Sequence, residues 1–282
     1  MFNDYFKGKT ALVTGAARGI GLTLCETLLK AEIAKVILVD INEENLNESV
    51  GRLNKEYPGK VSGMKVDVTK KDQVYAMIDN AEAQLGKLDI LFNNAGGSLI
   101  GAFTDSPLTD AVYQLGFGDS ATTDDSWYDV FNLNFFGALF AMKRVIPYMI
   151  KQGGGQIVNT ISGLACTPFP FLSQYSSTKA ALMGLSLSLR AEYAQCGIKI
   201  NAVTPGTTAT KIWQGHTPQG AQDPEVSVKN MLDAVVANKR LAYGDEGDVK
   251  GSFAFTEQAQ DGTDMFMDQL VKNMLEKGEF IY

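Results

Sequence analysis

Short runs rich in Val, Ile and Leu alternate along the chain with longer stretches whose apolar residues recur every three or four positions. The short runs fall at 10–14, 35–40, 60–66, 88–92, 155–161 and 199–203. They are strand-length and lack the in–out alternation of a sheet wetted on one side, so they read as strands buried on both faces. Amphipathic stretches at 19–31, 43–57, 71–85, 126–151 and 174–195 separate them. Strand and helix in alternation predict repeated βαβ units, and hence an α/β fold. The expected architecture is a single Rossmann-type, doubly wound parallel sheet with helices on both faces. A further strand near 252–256 would bring it to about seven strands. No internal repeat, low-complexity tract or linker divides the chain, which reads as one domain over 1–282.

Three regions depart from this rhythm. Residues 97–125 are rich in Gly, Ser, Thr and Asp and exceed an ordinary βα connection, as a pocket roof or a surface loop would. Residues 207–240 carry Trp213, His216 and Pro218 before Pro224 opens a helical stretch, and read as a lid over the substrate. A helical extension at 263–278 bears Met265, Phe266, Met267, Leu270, Met274 and Leu275. That spacing fits a helix docked on its own core, or a contact between subunits.

Composition narrows the function classes. The chain has 282 residues, 45% hydrophobic and 20% charged, which suffices for a large core without disulfides or structural metal. A net charge of −7 argues against a nucleic-acid surface. No apolar segment reaches the roughly 20 residues of a membrane span. The longest, 131–150, is broken by Asn134, Lys143, Arg144 and Pro147. No early stretch resembles a secretory signal, and the three scattered cysteines, Cys25, Cys166 and Cys196, fit reduced thiols of a cytoplasmic protein. A single histidine, His216, speaks against a His-based metal site and a Ser-His-Asp hydrolase.

After the first strand stands Thr14-Gly15-Ala16-Ala17-Arg18-Gly19-Ile20-Gly21, opening a helix. Glycines there let the backbone approach a pyrophosphate, and the helix start offers free N–H groups. The second strand ends at Asp40, whose carboxylate would accept hydrogen bonds from the adenosine ribose and repel a 2′-phosphate. This favours NAD over NADP, whereas Arg18 in the turn could pair with that phosphate.

With Asp67-Val68 after the third strand, Asn93-Asn94-Ala95-Gly96 after the fourth, and Asn134, Ser162, Tyr175 and Lys179, the sequence resembles the short-chain dehydrogenase/reductase family. The likeness extends to Pro205-Gly206, Thr208 and Thr210 and covers nearly all of the chain up to about residue 210. It implies that Gly15, Arg18, Gly19, Ile20, Gly21 and Asp40 hold the cofactor, with Asp67 and Val68 at the adenine. Asn94, Ala95 and Gly96 would pass close to it, and Pro205, Gly206, Thr208 and Thr210 would hold the carboxamide end. It further implies a catalytic tetrad of Asn134, Ser162, Tyr175 and Lys179.

The chemistry is consistent. A carbinol that gives up hydride must lose its hydroxyl proton, so a base is needed. Tyrosine ionises near pH 10, and about 4 kcal/mol of phenolate stabilisation would bring it to about 7. One cation at ~4 Å in an effective dielectric of about 20 supplies that much, and Lys179 lies one helical turn after Tyr175. Ser162 would hydrogen-bond the substrate oxygen. Asn134 would hold a water in a proton relay from Lys179, which would also bond the nicotinamide ribose. Leu164, Cys166, Phe169 and Trp213 suggest an apolar pocket for a hydrophobic alcohol or ketone, although side chains of this kind also serve packing. The resemblance implies a homodimer or homotetramer. The rivals are a 3-oxoacyl reductase using NADP, which Asp40 disfavours, and an NAD-binding sensor without chemistry, which the complete tetrad disfavours.

Overall fold

The computed structural model describes residues 2–106, 108–109, 121–210, 218–253, 265, 269–274 and 276. Its strands are β1 (Thr10–Thr14), β2 (Lys35–Asp40), β3 (Val61–Lys65), β4 (Ile90–Asn93), β5 (Gly155–Thr160), β6 (Ile198–Val203) and β7 (Leu241–Ala242). They form a seven-stranded sheet in the order β3-β2-β1-β4-β5-β6-β7, with every neighbouring pair parallel. The helices are α1 (Phe2–Phe6), α2 (Gly19–Lys30), α3 (Glu43–Glu56), α4 (Lys71–Leu85), α5 (Asp124–Phe131), α6 (Gly137–Lys151), α7 (Ser173–Tyr193), α8 (Pro224–Val236) and α9 (Glu246–Ser252).

The unbroken apolar strands follow from a sheet covered on both sides. Ala11 and Val13 of β1 join Val36, Leu38, Phe92 and the inner faces of α2 and α8 in one layer. Leu12, between them, joins Ile37, Val39, Leu91 and the apolar stripes of α4, α6 and α7 in the other. Successive side chains point to opposite faces, so the centres of β1 and β2, buried on both, are apolar. By contrast, β5 and β6 also bury Gln156, Asn159 and Asn201, and the edge strand β3 is only partly covered. This is the doubly wound α/β sheet that the sequence predicts.

Strand order also fixes where a ligand can sit. From β1 the chain builds outward through β2 and β3, then returns to place β4 on the other side of β1. The loops leaving β1 and β4 therefore diverge and open a crevice at the carboxyl ends of these two strands.

Two expectations change. The seventh strand among the described residues is the two-residue Leu241–Ala242, paired with Ala202 and Val203. Ser252 ends α9, and the rest of the expected strand from 254 on lies outside the described residues. The expected helix 126–151 is two α-helices, α5 and α6, joined by a π-helical turn at Asn132–Phe136.

The C-terminal extension, where described, docks on its own chain. Leu270 and Met274 pack with Ala102, against Ile100, Ala121, Phe169 and Phe171. The same corner is tied by the amide of Gly101, which donates to the Phe171 carbonyl at 2.9 Å, and that of Thr122, which donates to Ala102 at 2.8 Å. Part of the 97–125 region thus packs beside the 163–172 loop. Among the described residues no helix is long and apolar enough to cross a membrane.

Candidate active site

The crevice between β1 and β4 opens into a cleft of about 900 Å³. Its floor is backbone. Gly15 has φ 65° and Gly19 φ 55°, the left-handed region that glycine enters without strain. Packing demands glycine still more strictly at Gly21, where a Cβ would lie 2.1 Å from the Gly15 carbonyl oxygen. The first turn of α2 therefore sits directly on the loop and leaves its N–H groups facing the cleft.

Neighbouring loops lock this turn. Thr14 Oγ1 accepts from the amides of Asn94 and Ala95, each at 3.0 Å, and Asn94 Nδ2 donates to the Thr14 carbonyl at 3.0 Å. These bonds pin the ends of β1 and β4 together at the point where strand order reverses. A Cβ at Gly15 would lie 2.9 Å from Ala95 Cα, so the two loops are in contact there. Asp40 has a second duty that its position in the sequence does not reveal. Its Oδ2 accepts from the Ala17 amide at 3.0 Å and its Oδ1 from the Asn42 amide at 2.9 Å. The carboxylate braces the Gly-rich turn while still lining the cleft. Arg18 lines the same rim and is exposed.

Asp67 and Val68 also line the cleft. Asp67 Oδ1 is occupied by the amide and hydroxyl of Thr69, at 2.9 and 2.7 Å. On the opposite wall, Pro205, Gly206, Thr208 and Thr210 approach the Gly-rich turn, and a Cβ at Gly19 would come within 3.8 Å of the Thr210 methyl. The Thr208 hydroxyl shares a 2.6 Å hydrogen bond with that of Ser227 on α8.

Tyr175 and Lys179 lie one turn apart on α7 and both line the cleft, as does Ser162 at the end of β5. Lys179 is 3% exposed and donates to the Thr160 carbonyl at 2.8 Å. Burial holds its ammonium down at about 8. Burial pushes the Tyr175 phenol up to about 12, and the Ser162 hydroxyl draws it back down by hydrogen bonding. The lysine nitrogen stands 5.6 Å from the tyrosine ring centre. Within the chain's own groups burial is the largest influence on the Tyr175 phenol, whereas the expected lowering by Lys179 together with the oxidised nicotinamide concerns the cofactor-bound protein.

Asn134 lies behind the cleft wall, 1% exposed, inside the π-helical turn. The extra residue of such a turn re-aims side chains, and π-bulges recur at functional sites. Its Oδ1 accepts from the Gly97 amide and its Nδ2 donates to the Gly97 carbonyl, both at 2.9 Å, with a third bond to Thr178 Oγ1 at 3.1 Å. A Cβ at Gly96 would lie 3.0 Å from Asn134 Oδ1 and 3.3 Å from Lys179 Nζ, which places both atoms around this one glycine.

The substrate side matches the sequence reading less well. Leu164 lines the cleft together with Leu172 of the same loop, as the sequence suggests, and with Ile100 and Leu133, which sequence reasoning did not single out. Cys166 is a correction. The short turn at Gly163–Ala165 directs it into the protein, with its sulfur 3.7 Å from that of Met183. Phe169 likewise packs in the Leu270–Met274 cluster and is not among the residues lining the cleft. Trp213, with Lys211, Ile212 and His216, lies outside the described residues. Among the described residues no group of three or more His, Cys, Asp or Glu could hold a metal ion.

The combination of a doubly wound parallel sheet, a glycine turn at its switch point and a Tyr–Lys pair beside a serine defines a dinucleotide-binding fold of dehydrogenase type. Comparisons with known proteins agree. The family model for short chain dehydrogenases matches residues 9–220. An uncharacterized oxidoreductase of Staphylococcus epidermidis is 33% identical over 230 residues, covering 82% of this chain and 90% of that one. Among solved structures, a gluconate 5-dehydrogenase from Burkholderia cenocepacia, in complex with NADP and tartrate, superposes with a TM-score of 0.74 at 27% identity, covering 89% and 99% of the two chains. A 7α-hydroxysteroid dehydrogenase complexed with NADH and 7-oxo glycochenodeoxycholic acid gives 0.72 at 26% identity, covering 84% and 93%. The chain belongs to the short-chain dehydrogenase/reductase family and is an oxidoreductase of that family, which uses nicotinamide cofactors.

Proposed function

We propose that this protein transfers hydride between NAD(H) and a hydrophobic secondary alcohol or ketone, with Tyr175 as general acid/base. The observation that carries the reading is the convergence of Tyr175, Ser162 and Lys179 on one wall of a cleft whose floor is the Gly15–Gly21 turn. In oxidation, the Tyr175 phenolate takes the carbinol proton; in reduction, the phenol returns it to the carbonyl oxygen. Ser162 hydrogen-bonds that same oxygen and holds it against the tyrosine. Lys179 would hold the nicotinamide ribose, and its position beside Gly96 and Asn134 fits a path for protons to and from the tyrosine. Held by the Gly15–Gly21 turn and the Pro205–Thr210 segment, an oxidised nicotinamide cofactor would supply the hydride acceptor and a positive charge favouring the Tyr175 phenolate, whose phenol burial holds at about 12. Each unit by which that value falls corresponds to about 1.4 kcal/mol of phenolate stabilisation.

Asp40 supports NAD, since its carboxylate lines the cleft and is held by two backbone amides that fix its direction. Exposed Arg18 on the same rim favours the alternative, NADP. The apolar cleft residues Ile100, Leu133, Leu164 and Leu172 support a hydrophobic substrate. The family resemblance supports a homo-oligomer.

The test is a screen of apolar secondary alcohols, ketones, sugars and charged hydroxy acids with NAD(H) and NADP(H), read by nicotinamide absorbance. Turnover of apolar compounds with NAD(H) is expected, and Asp40→Ala should narrow the NAD preference by about 10-fold, the effect of roughly 1.4 kcal/mol. Turnover of sugars or hydroxy acids alone would contradict the substrate reading. Higher kcat/KM with NADP(H) would contradict the cofactor reading.

A further inference from the structure

Pro205 and Gly206 line the cleft, and Gly206, at φ 72°, is the hinge of the turn they begin. Glycine imposes little on its own two dihedrals, so something else must fix them. The two peptide planes that meet at Gly206 are each held by one side chain. Gln222 Nε2 donates to the Pro205 carbonyl at 2.7 Å, which fixes the plane before the glycine. Asp245 Oδ2 accepts from the Thr207 amide at 2.7 Å, which fixes the plane after it. A peptide unit is rigid, so with both planes held neither dihedral of Gly206 turns freely. The grip is close: a Cβ at Gly206 would lie 2.6 Å from Asp245 Oδ2 and 2.7 Å from Gln222 Nε2. Neither side chain is among those lining the cleft, so both act on the turn from behind.

We propose that Asp245 and Gln222 are positioning residues for the nicotinamide end of the cofactor: they set the Gly206 hinge, and with it the wall that holds the carboxamide. Both are themselves anchored. The Gln222 amide donates to the Thr207 carbonyl at 2.8 Å, and its carbonyl accepts from the Ala209 amide at 2.9 Å. Asp245 caps the first turn of α9, where its Oδ1 accepts from the Asp248 amide at 2.8 Å. A carboxylate makes the stronger kind of bond to a backbone amide, so the Asp245 side of the grip is the firmer one. The nicotinamide has to face Tyr175 and Ser162, and a hinge that swings would carry its ring away from them. The adenosine end, lying over the Gly15–Gly21 turn and Asp40, does not depend on this hinge.

This inference rests on the reading that the Pro205–Thr210 segment holds the carboxamide, and its test separates the two. NADH and ADP-ribose, which lacks only the nicotinamide, are titrated calorimetrically into the parent, Asp245→Ser and Gln222→Met. Serine keeps an oxygen that caps α9 but removes the one that serves Thr207. Methionine keeps the length of Gln222 and removes its donor. The parent should bind NADH more tightly than ADP-ribose. Each variant should lower NADH affinity by about 10-fold, the effect of one lost hydrogen bond of this kind, and leave ADP-ribose affinity unchanged. Equal affinity of the parent for the two ligands overturns the carboxamide reading and the proposal with it. A parent preference that both variants keep in full overturns the proposal alone. Equal losses for both ligands also overturn it, because general loosening of the cleft produces that. If Asp245→Ser fails to fold, Gln222→Met decides alone on the same comparison.

Discussion

The two halves of the cleft are built differently. The half under β1, β2 and β4 is made of backbone: Gly15, Gly19 and Gly21, the Thr14–Asn94–Ala95 bonds, and the Asp40 brace on Ala17. The half beyond β5 and β6 is made of side chains on loops, with Leu164 and Leu172 backed by a small cluster around Ala102, Leu270 and Met274. Backbone geometry tolerates one residue type at a given place, whereas an apolar wall tolerates many. The first half therefore holds a fixed ligand, and the second is free to vary with the substrate.

Several substitutions test this contrast. The largest effect belongs to Gly21→Ala, whose methyl would collide with the Gly15 carbonyl oxygen at 2.1 Å. Backbone cannot step aside as a side chain can. NADH affinity should fall by two orders of magnitude or more, about 3 kcal/mol, as measured by fluorescence titration. Retained affinity would mean that the turn is not the cofactor floor. Next comes Met274→Ala, which empties a fully buried position. A loss of about 2 kcal/mol, the low end for a buried Met in so small a cluster, is expected in chemical denaturation. KM for apolar substrates should rise while NADH binding stays put, and a fall in NADH affinity would show that the halves are not separate.

The smallest effect concerns pH. Lys179 is held at about 8 in the folded protein against an ordinary 10.5. Between these values the unfolded chain binds more protons, so this group makes stability rise with pH across that window. Lys179→Met lacks the cost of burying the ammonium, and its stability advantage over the parent should shrink from pH 8 to 10.5 in parallel thermal melts. An advantage that stays constant would place the ammonium in water.

The contrast also explains what the sequence revealed. The positions of the first six strands, the burial of the central ones and the Gly15–Gly21 turn were legible because each is a strict local pattern. The edge strand Val61–Lys65 is only partly covered, against the expectation of burial on both faces. Asn134 was legible as a residue but not in its setting, since nothing local distinguishes a π-helical turn from the α-helix around it. The two-residue strand Leu241–Ala242 carries too little periodicity to be found. Cys166 and Leu164 are two residues apart in one apolar run, and only the turn at Gly163–Ala165 decides which of them meets the cleft. Asp248 gives no local signal of its setting, because the residues it packs on, Gly163 and Thr204, are far away in the chain.

The account turns on Tyr175, and the most direct measurement is the turnover of Tyr175→Phe beside its NADH affinity. Removal of one hydroxyl that carries the proton should lower kcat by about 10²- to 10⁴-fold, while NADH binds as to the parent. A Tyr175→Phe enzyme with the parent's turnover would contradict the mechanism.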